Sequence, residues 1–556
     1  MARLSNLMLE AMKFLIDMNC RRASARFWRP LAIRLSTAAV VVALVSPWGA
    51  LARTWTDKQG RTIEAEFVKV VQDKVVLNHA GKNVTVPLSE LSDADLKFIA
   101  TKTGANPTSS IAATQITVQP SRLRQEFDGL GCGVQFYAGH ITSFAARHKD
   151  DLQRKLYDDM FAKVPTRYLH IGIPPDLGPQ TDHADGTLAA QDPANFKSCA
   201  SLIDIAKAAK ARLPDIELLA SLESPPAWMK TNNAIGGGGK EKATLKPGME
   251  LKFAEYIWNF LAYMAKSGAP VKYVAISNEC DWPHDQPGCF FTPEAHAALV
   301  KVVGSHLEKM AAKDRSVPRA ILVGPNTLSA PGAAKDYLPA IFRAGANKYL
   351  EVVASHDYDP RGDRWGALRK IAGERPVWMT EWCARGDDES PGQINSATQY
   401  AGAMHEAFAG GANVWMAYDW AYPPRKGGEA LIHIDWGNDY TLKKPYWVFR
   451  QWATPLSPRM HIVQADTSGP AATGVKATAF LAKDGKSLVV HVVNATDSEA
   501  RIAMNISGAS RGKPAARHRT TATEDMAELS PLDAAAGKYP DALPARSLTT
   551  YELEMK

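Results

Sequence analysis

The chain has 556 residues, too many for one ordinary domain, and its 46% hydrophobic and 22% charged content excludes a disordered polypeptide. The formal charge is +7, but residues 1–52 alone carry +5, which leaves too little elsewhere to argue for a nucleic-acid or membrane-surface partner. The six cysteines show no CxxC or Cys/His ligand spacing, so the sequence implies no structural zinc.

Five arginines between Arg21 and Arg34 precede the apolar run AAVVVALV at 38–45, and Ala50-Leu51-Ala52 follows as an A-x-A cleavage pattern. This predicts a signal peptide over 1–52, cleaved near Ala52, and an exported protein: periplasmic, at the cell surface or extracellular. An uncleaved membrane anchor is the alternative. Residues 53–101 alternate apolar and polar residues in short runs, with turns at Gly60, Asp73 and Gly81, and predict a small antiparallel β unit. The order W-T-x-x-x-G, V-V-L, then V-P-L-S-x-L-S resembles the SLA-type homology domain, an SH3-like barrel. The resemblance implies a binding or spacing role, with a cell-surface or protein partner. Residues 102–113, small and polar, read as a linker.

From 127 to 453 short apolar runs alternate with amphipathic stretches. Strands are predicted at 129–135, 167–172, 216–222, 272–278, 319–325, 350–356, 376–381 and 413–420. Eight strands, each followed by a helix, point to an α/β fold closed as a (β/α)8 barrel. A doubly wound open sheet is the alternative, but no Gly-rich phosphate loop opens a helix; GGGG at 236–239 reads as a flexible loop. Residues 454–556 alternate as strands of a C-terminal β-sandwich, and 114–126 is an extra strand that would pair with it. After loss of Cys20 with the signal, five cysteines remain, so at least one is unpaired. A Cys280–Cys289 loop staple and free buried thiols are both open.

In such a barrel the reacting groups gather at the C-terminal strand ends. There the sequence puts Arg167 and Asp176 near strand two, Asn278-Glu279 at strand four, His356 and Tyr358 at strand six, Glu381 at strand seven and Trp420 at strand eight. Two facing glutamates suit glycoside hydrolysis, in which one carboxyl group protonates the leaving oxygen and the other attacks the anomeric carbon. Trp228, Trp382 and Trp420 offer faces for sugar rings. A structural ion pair is the plainer reading of Arg167, and core packing that of Trp420.

The motifs LLASLESPPAWMKTN, LKPGMELKFAEYIWNFLAYMAKSGAPVKYVAISNE, VWMTEWC and KPYWVFRQWATPLSP, in this order, resemble glycoside hydrolase family 30, a family of retaining barrel glycosidases of glucosylceramidase type. The resemblance spans about 114–556. It implies Glu279 as acid/base, Glu381 as nucleophile and Asn278 at the sugar 2-hydroxyl. Asp176 and Trp228 would line the non-reducing subsite, His356 and Tyr358 would orient sugar and nucleophile, Trp420 would floor the pocket and Arg167 would steady the nucleophile's charge. It implies a β-linked oligo- or polysaccharide or glycoside as partner, no metal and no cofactor. GIPPD at 172–176 and CDWPHDQPGC at 280–289 depart from the family's pattern. Two rival readings are a non-catalytic carbohydrate-binding barrel and a surface adaptor defined by residues 53–101.

Overall fold

A computed structural model describes residues 52–71, 74–103, 113–177, 193–359, 364–509, 513–535 and 538–556. The expected signal peptide and most of the expected linker lie outside the described residues. The chain divides into two compact units, Met1–Asp95 and Leu96–Lys556.

In the first unit four strands pair in sequence order as antiparallel neighbours: β1 (Arg53–Thr56), β2 (Thr62–Val71), β3 (Lys74–His79) and β4 (Lys82–Pro87). Inward-facing residues alternate, as a half-buried strand requires, and Val75 and Leu77 of β3 are fully buried. Trp55 is the anchor: its indole N–H donates to Ala65 O at 2.9 Å. Buried Asp95 accepts from Arg53, Thr56 N and Ser92 Oγ, and so ties the start of the unit to its end. These contacts give the small β unit a core of its own.

The second unit opens with β5 (Thr114–Glu126) and continues into the barrel strands. These are β6 (Gly129–Gly133), β7 (Tyr168–Gly172), β8 (Glu217–Ser221), β9 (Tyr273–Ala275), β10 (Ile321–Thr327), β11 (Leu350–Ser355), β12 (Val377–Trp382) and β13 (Val414–Ala417). All neighbours are parallel, and β13 pairs with β6 to close the ring. Tyr168, Tyr273 and Trp378 fill the interior, with ring centroids 4.6 to 5.9 Å apart. Space for them comes from β6, where a Cβ on Gly131 would lie 2.9 Å from Met416 and Tyr168. The outer helices bury one stripe each. Glu250–Lys266 turns Phe253, Ile257, Phe260, Leu261 and Met264 inward at helical spacing. Pro293–Lys313 starts where Thr292 Oγ1 accepts from Ala295 N, with Pro293 at the first helical position. No helix among the described residues is long and apolar enough to cross a membrane.

After β13 the chain makes a three-stranded sheet, β14 (Ala421–Tyr422), β15 (Ile432–Asp435) and β16 (Asp439–Leu442). The remaining strands are β17 (His461–Ser468), β18 (Val475–Leu481), β19 (Ser487–Asn494), β20 (Ala500–Ile506), β21 (Ala515–Thr520), β22 (Ala527–Leu532), β23 (Tyr539–Leu543) and β24 (Ser547–Glu554). They form one ladder, β22-β21-β24-β19-β18-β17-β5-β20-β23. The ladder curls over its own apolar core, because Tyr551 of β24 and Arg517 of β21 both reach Asp541 of β23 near the opposite edge. As the sequence suggested, β5 joins it, antiparallel to β17 and parallel to β20.

Candidate active site

Strand β9 is shorter than its apolar run predicts. The backbone leaves the sheet after Ala275, and Glu279 sits at φ +44°, a left-handed conformation that costs a non-glycine residue free energy. Neighbours hold it there. Glu279 N donates to Asn326 O at 2.9 Å, and Ser277 Oγ is hydrogen-bonded to His296 of the following helix and to Pro325 O. The turn aims the Glu279 side chain over the barrel mouth towards Glu381 of β12.

Glu279, His356 and Glu381 each place one donor atom within 4.8 Å of the others. His356 Nδ1 lies 3.0 Å from Glu279 Oε1 and 3.6 Å from Glu381 Oε1. Tyr358 donates its hydroxyl to Glu381 Oε1 at 3.1 Å, and Gln135 Nε2 donates to Glu381 Oε2, also at 3.1 Å. Glu381 therefore has a donor on each oxygen, whereas Glu279 has only the imidazole. Burial pushes Glu279 up to about 7, with the Arg385 charge pulling the other way. Burial and the Glu279 charge also raise Glu381, opposed by His356 and by its hydrogen bonds to Gln135 and Tyr358. The carboxyl with more hydrogen-bond donors is the one suited to stay ionised, and the other to keep its proton. Burial lowers His356 in spite of the carboxylates around it, which keeps the imidazole neutral at pH 7. The spacing of the three groups would also suit a divalent ion.

Asn278 receives Asn326 Nδ2 on its Oδ1 at 3.2 Å and lies near Glu223, two residues beyond β8, whose pKa it lowers. Glu223 accepts from the same Gln135 amide at 3.2 Å. Asp419, just past β13, accepts from Gln135 N and Trp420 N, and burial raises it to about 7. Sequence reading missed Gln135, Glu223, Asn326 and Asp419. A cavity of about 360 Å³ adjoins the glutamate pair at Tyr358, Cys383 and Arg385, and runs on to Lys476 and Arg546 of the side sheet.

Two expectations, for Arg167 and Trp420, need correction. Arg167 precedes β7 and so lies at the opposite end of the barrel, where it pairs with Asp128 at 2.9 Å and Glu217 at 3.8 Å. It cannot steady the nucleophile. Arg167→Ala is expected to cost about 1 kcal/mol of stability, since the pair is partly solvated, and to leave KM unchanged; thermal melts and kinetics check both. Trp420 is fully buried and packs on Phe161 and Phe449, so it belongs to the barrel–helix core rather than the pocket floor. Asp176 is exposed and accepts from Ser198 Oγ. Trp228, half-buried beneath Lys252, likewise has no bond into the cluster among the described residues. The five described cysteines are buried free thiols, Cys280 and Cys289 included.

The fold and this cluster define a (β/α)8 glycoside hydrolase with a side β-sheet. The O-glycosyl hydrolase family 30 model matches residues 183–320, and that of SLA1 homology domain 1 matches residues 46–106. The chain is thus similar to family 30 glycoside hydrolases over part of its barrel and to SLA1 homology domain 1 near its N-terminus. Among solved structures, the family 30 subfamily 8 xylanase of Clostridium acetobutylicum is 20% identical, with TM-score 0.59 over 79% of this chain and 99% of that one. The catalytic domain of xylanase C from Talaromyces cellulolyticus is 18% identical, with TM-score 0.63 over 80% and 100%. An endo-β-1,6-glucanase is 14% identical, with TM-score 0.58 over 80% and 94%. At these identities the likeness is one of fold. No curated protein matches the sequence.

Proposed function

We propose that the protein is a retaining β-glycoside hydrolase, with Glu381 as nucleophile and Glu279 as acid/base. The observation that carries this reading is their spacing, with reacting atoms within 4.8 Å. Retaining pairs stand about 5–5.5 Å apart, whereas inverting pairs leave about 6.5–9.5 Å for a water. Ionised Glu381 attacks the anomeric carbon as the bond to the leaving oxygen breaks, and the Glu279 proton goes to that oxygen. Glu279, now a carboxylate, takes a proton from water; the water oxygen attacks the anomeric carbon, freeing Glu381 and restoring the Glu279 proton. Tyr358 and Gln135 hold Glu381 in line for both steps.

The xylanases and the endo-β-1,6-glucanase that share this fold put xylan and β-1,6-glucan first among substrates to test, beside aryl β-glycosides. NMR of the first sugar released is expected to show the β-anomer before mutarotation; an α-anomer would make the pair inverting. The basic and apolar N-terminus with its A-x-A pattern supports export, where such polymers are met. The SLA1 homology domain would then serve in tethering or spacing rather than in chemistry.

A further inference from the structure

Glu223 is a third carboxyl group at the barrel mouth, and the two-step reaction has no use for it. The glutamates of β9 and β12 divide the ring of strand ends into two arcs. The arc of β10 and β11 is filled by Asn326, His356 and Tyr358, whose bonds support Asn278 and the glutamate pair. The other arc, β13 through β6 to β8, holds Asp419, Gln135 and Glu223, linked by the bonds of Gln135 to Asp419, Glu223 and Glu381. Glu223 is 9% exposed, against 7% for each catalytic glutamate, and the shared Gln135 amide places it beside Glu381.

The bonding of Glu223 also favours a ligand role. The Gln135 amide spends one hydrogen on Glu381 and the other on Glu223, and the nearby Asn278 side chain favours the Glu223 carboxylate. A carboxyl group accepts about four hydrogen bonds, so the Gln135 amide leaves it free valence. As a mere strut, an amide in its place would serve without setting a third acid beside two others. Burial and the Glu381 and Glu279 charges do push Glu223 well above the usual carboxylate range. Such a cost is expected of a group kept for binding.

We propose that Glu223 is a specificity-determining residue that holds a hydrogen-bond-donating substituent of the bound sugar ring, a hydroxyl or an ammonium group. This rests on the glutamate-pair reading above. The test takes the full chain and Glu223→Gln with an aryl β-glycoside that the enzyme hydrolyses, its monodeoxy analogues and the corresponding 2-amino sugar. If a hydroxyl is held, removing one particular hydroxyl lowers wild-type kcat/KM about tenfold or more, and the same removal costs Glu223→Gln almost nothing. If an ammonium is held, wild type prefers the amino sugar and the variant loses that preference by a similar factor. A uniform loss across all the substrates, with ratios within about twofold of wild type, overturns the proposal and leaves Glu223 a structural residue. Should Glu223→Gln not fold, Glu223→Asp is put through the same series, since a shorter side chain weakens the same coupling. An inactive Glu381→Gln alongside uniform ratios sinks only this inference; an active Glu381→Gln sinks the reading beneath it.

Discussion

Glu381→Gln is expected to lower kcat/KM by about ten-thousand-fold or more while sugar still binds. The amide keeps the shape of the side chain but cannot form the glycosyl ester, so both chemical steps are lost. Folding should survive, because Tyr358 and Gln135 can still bond an amide and one buried acid is removed. A 2-deoxy-2-fluoro glycoside with a good leaving group should load wild type but not the variant, with the added mass on the peptide containing Glu381. Label on another residue would reassign the nucleophile.

Glu279→Gln should separate the two steps. Its effect on glycosylation is large for poor leaving groups, about a hundred- to ten-thousand-fold, and small for a dinitrophenolate that needs no proton. In wild type the kcat/KM profile should fall at high pH with a midpoint near the Glu279 value of about 7, and at low pH as Glu381 gains a proton. The variant should lose the high-pH limb. Stability follows the same group. Its folded pKa lies above the unfolded one, near 4.5, so the native state binds the extra proton between the two. The stabilisation is complete below about 4.5 and is lost as pH rises towards 7, by roughly 2–4 kcal/mol. Glu279→Gln should flatten that slope in thermal melts; an unchanged slope would assign the proton elsewhere.

The barrel was legible because eight apolar runs separated by helical periods leave few alternatives, and each observed strand falls within two residues or so of its run, β9 and β13 excepted. Those two stop early because the chain turns to present Glu279 and Asp419, and a local pattern carries no sign of such turns. Trp420 was misplaced for the same reason: β13 ends at Ala417, and the turn decides which way the ring points. Arg167 was read at the wrong end of its strand, although its position before YLHIG was itself the clue. Glu223 and Asp419 were missed despite lying just beyond strand ends, the criterion that found Glu279 and Glu381, because a two-carboxylate template stops looking at two. Gln135 carries no charge to betray it. The side sheet was anticipated as a sandwich, and its continuous, curled ladder depends on long-range pairings that sequence does not encode locally.

Strand β5 leaves the ribosome before the barrel, yet its partners β17 and β20 are made more than 330 residues later. Throughout synthesis of the barrel this segment must wait with its hydrogen-bonding edges open, a risk for aggregation in a crowded cell. Nascent chains stalled before residue 461 would be natural clients for a holdase, and the late arrival of β17 works as a quality seal: β5 is zipped into its sheet only after the whole barrel has been made.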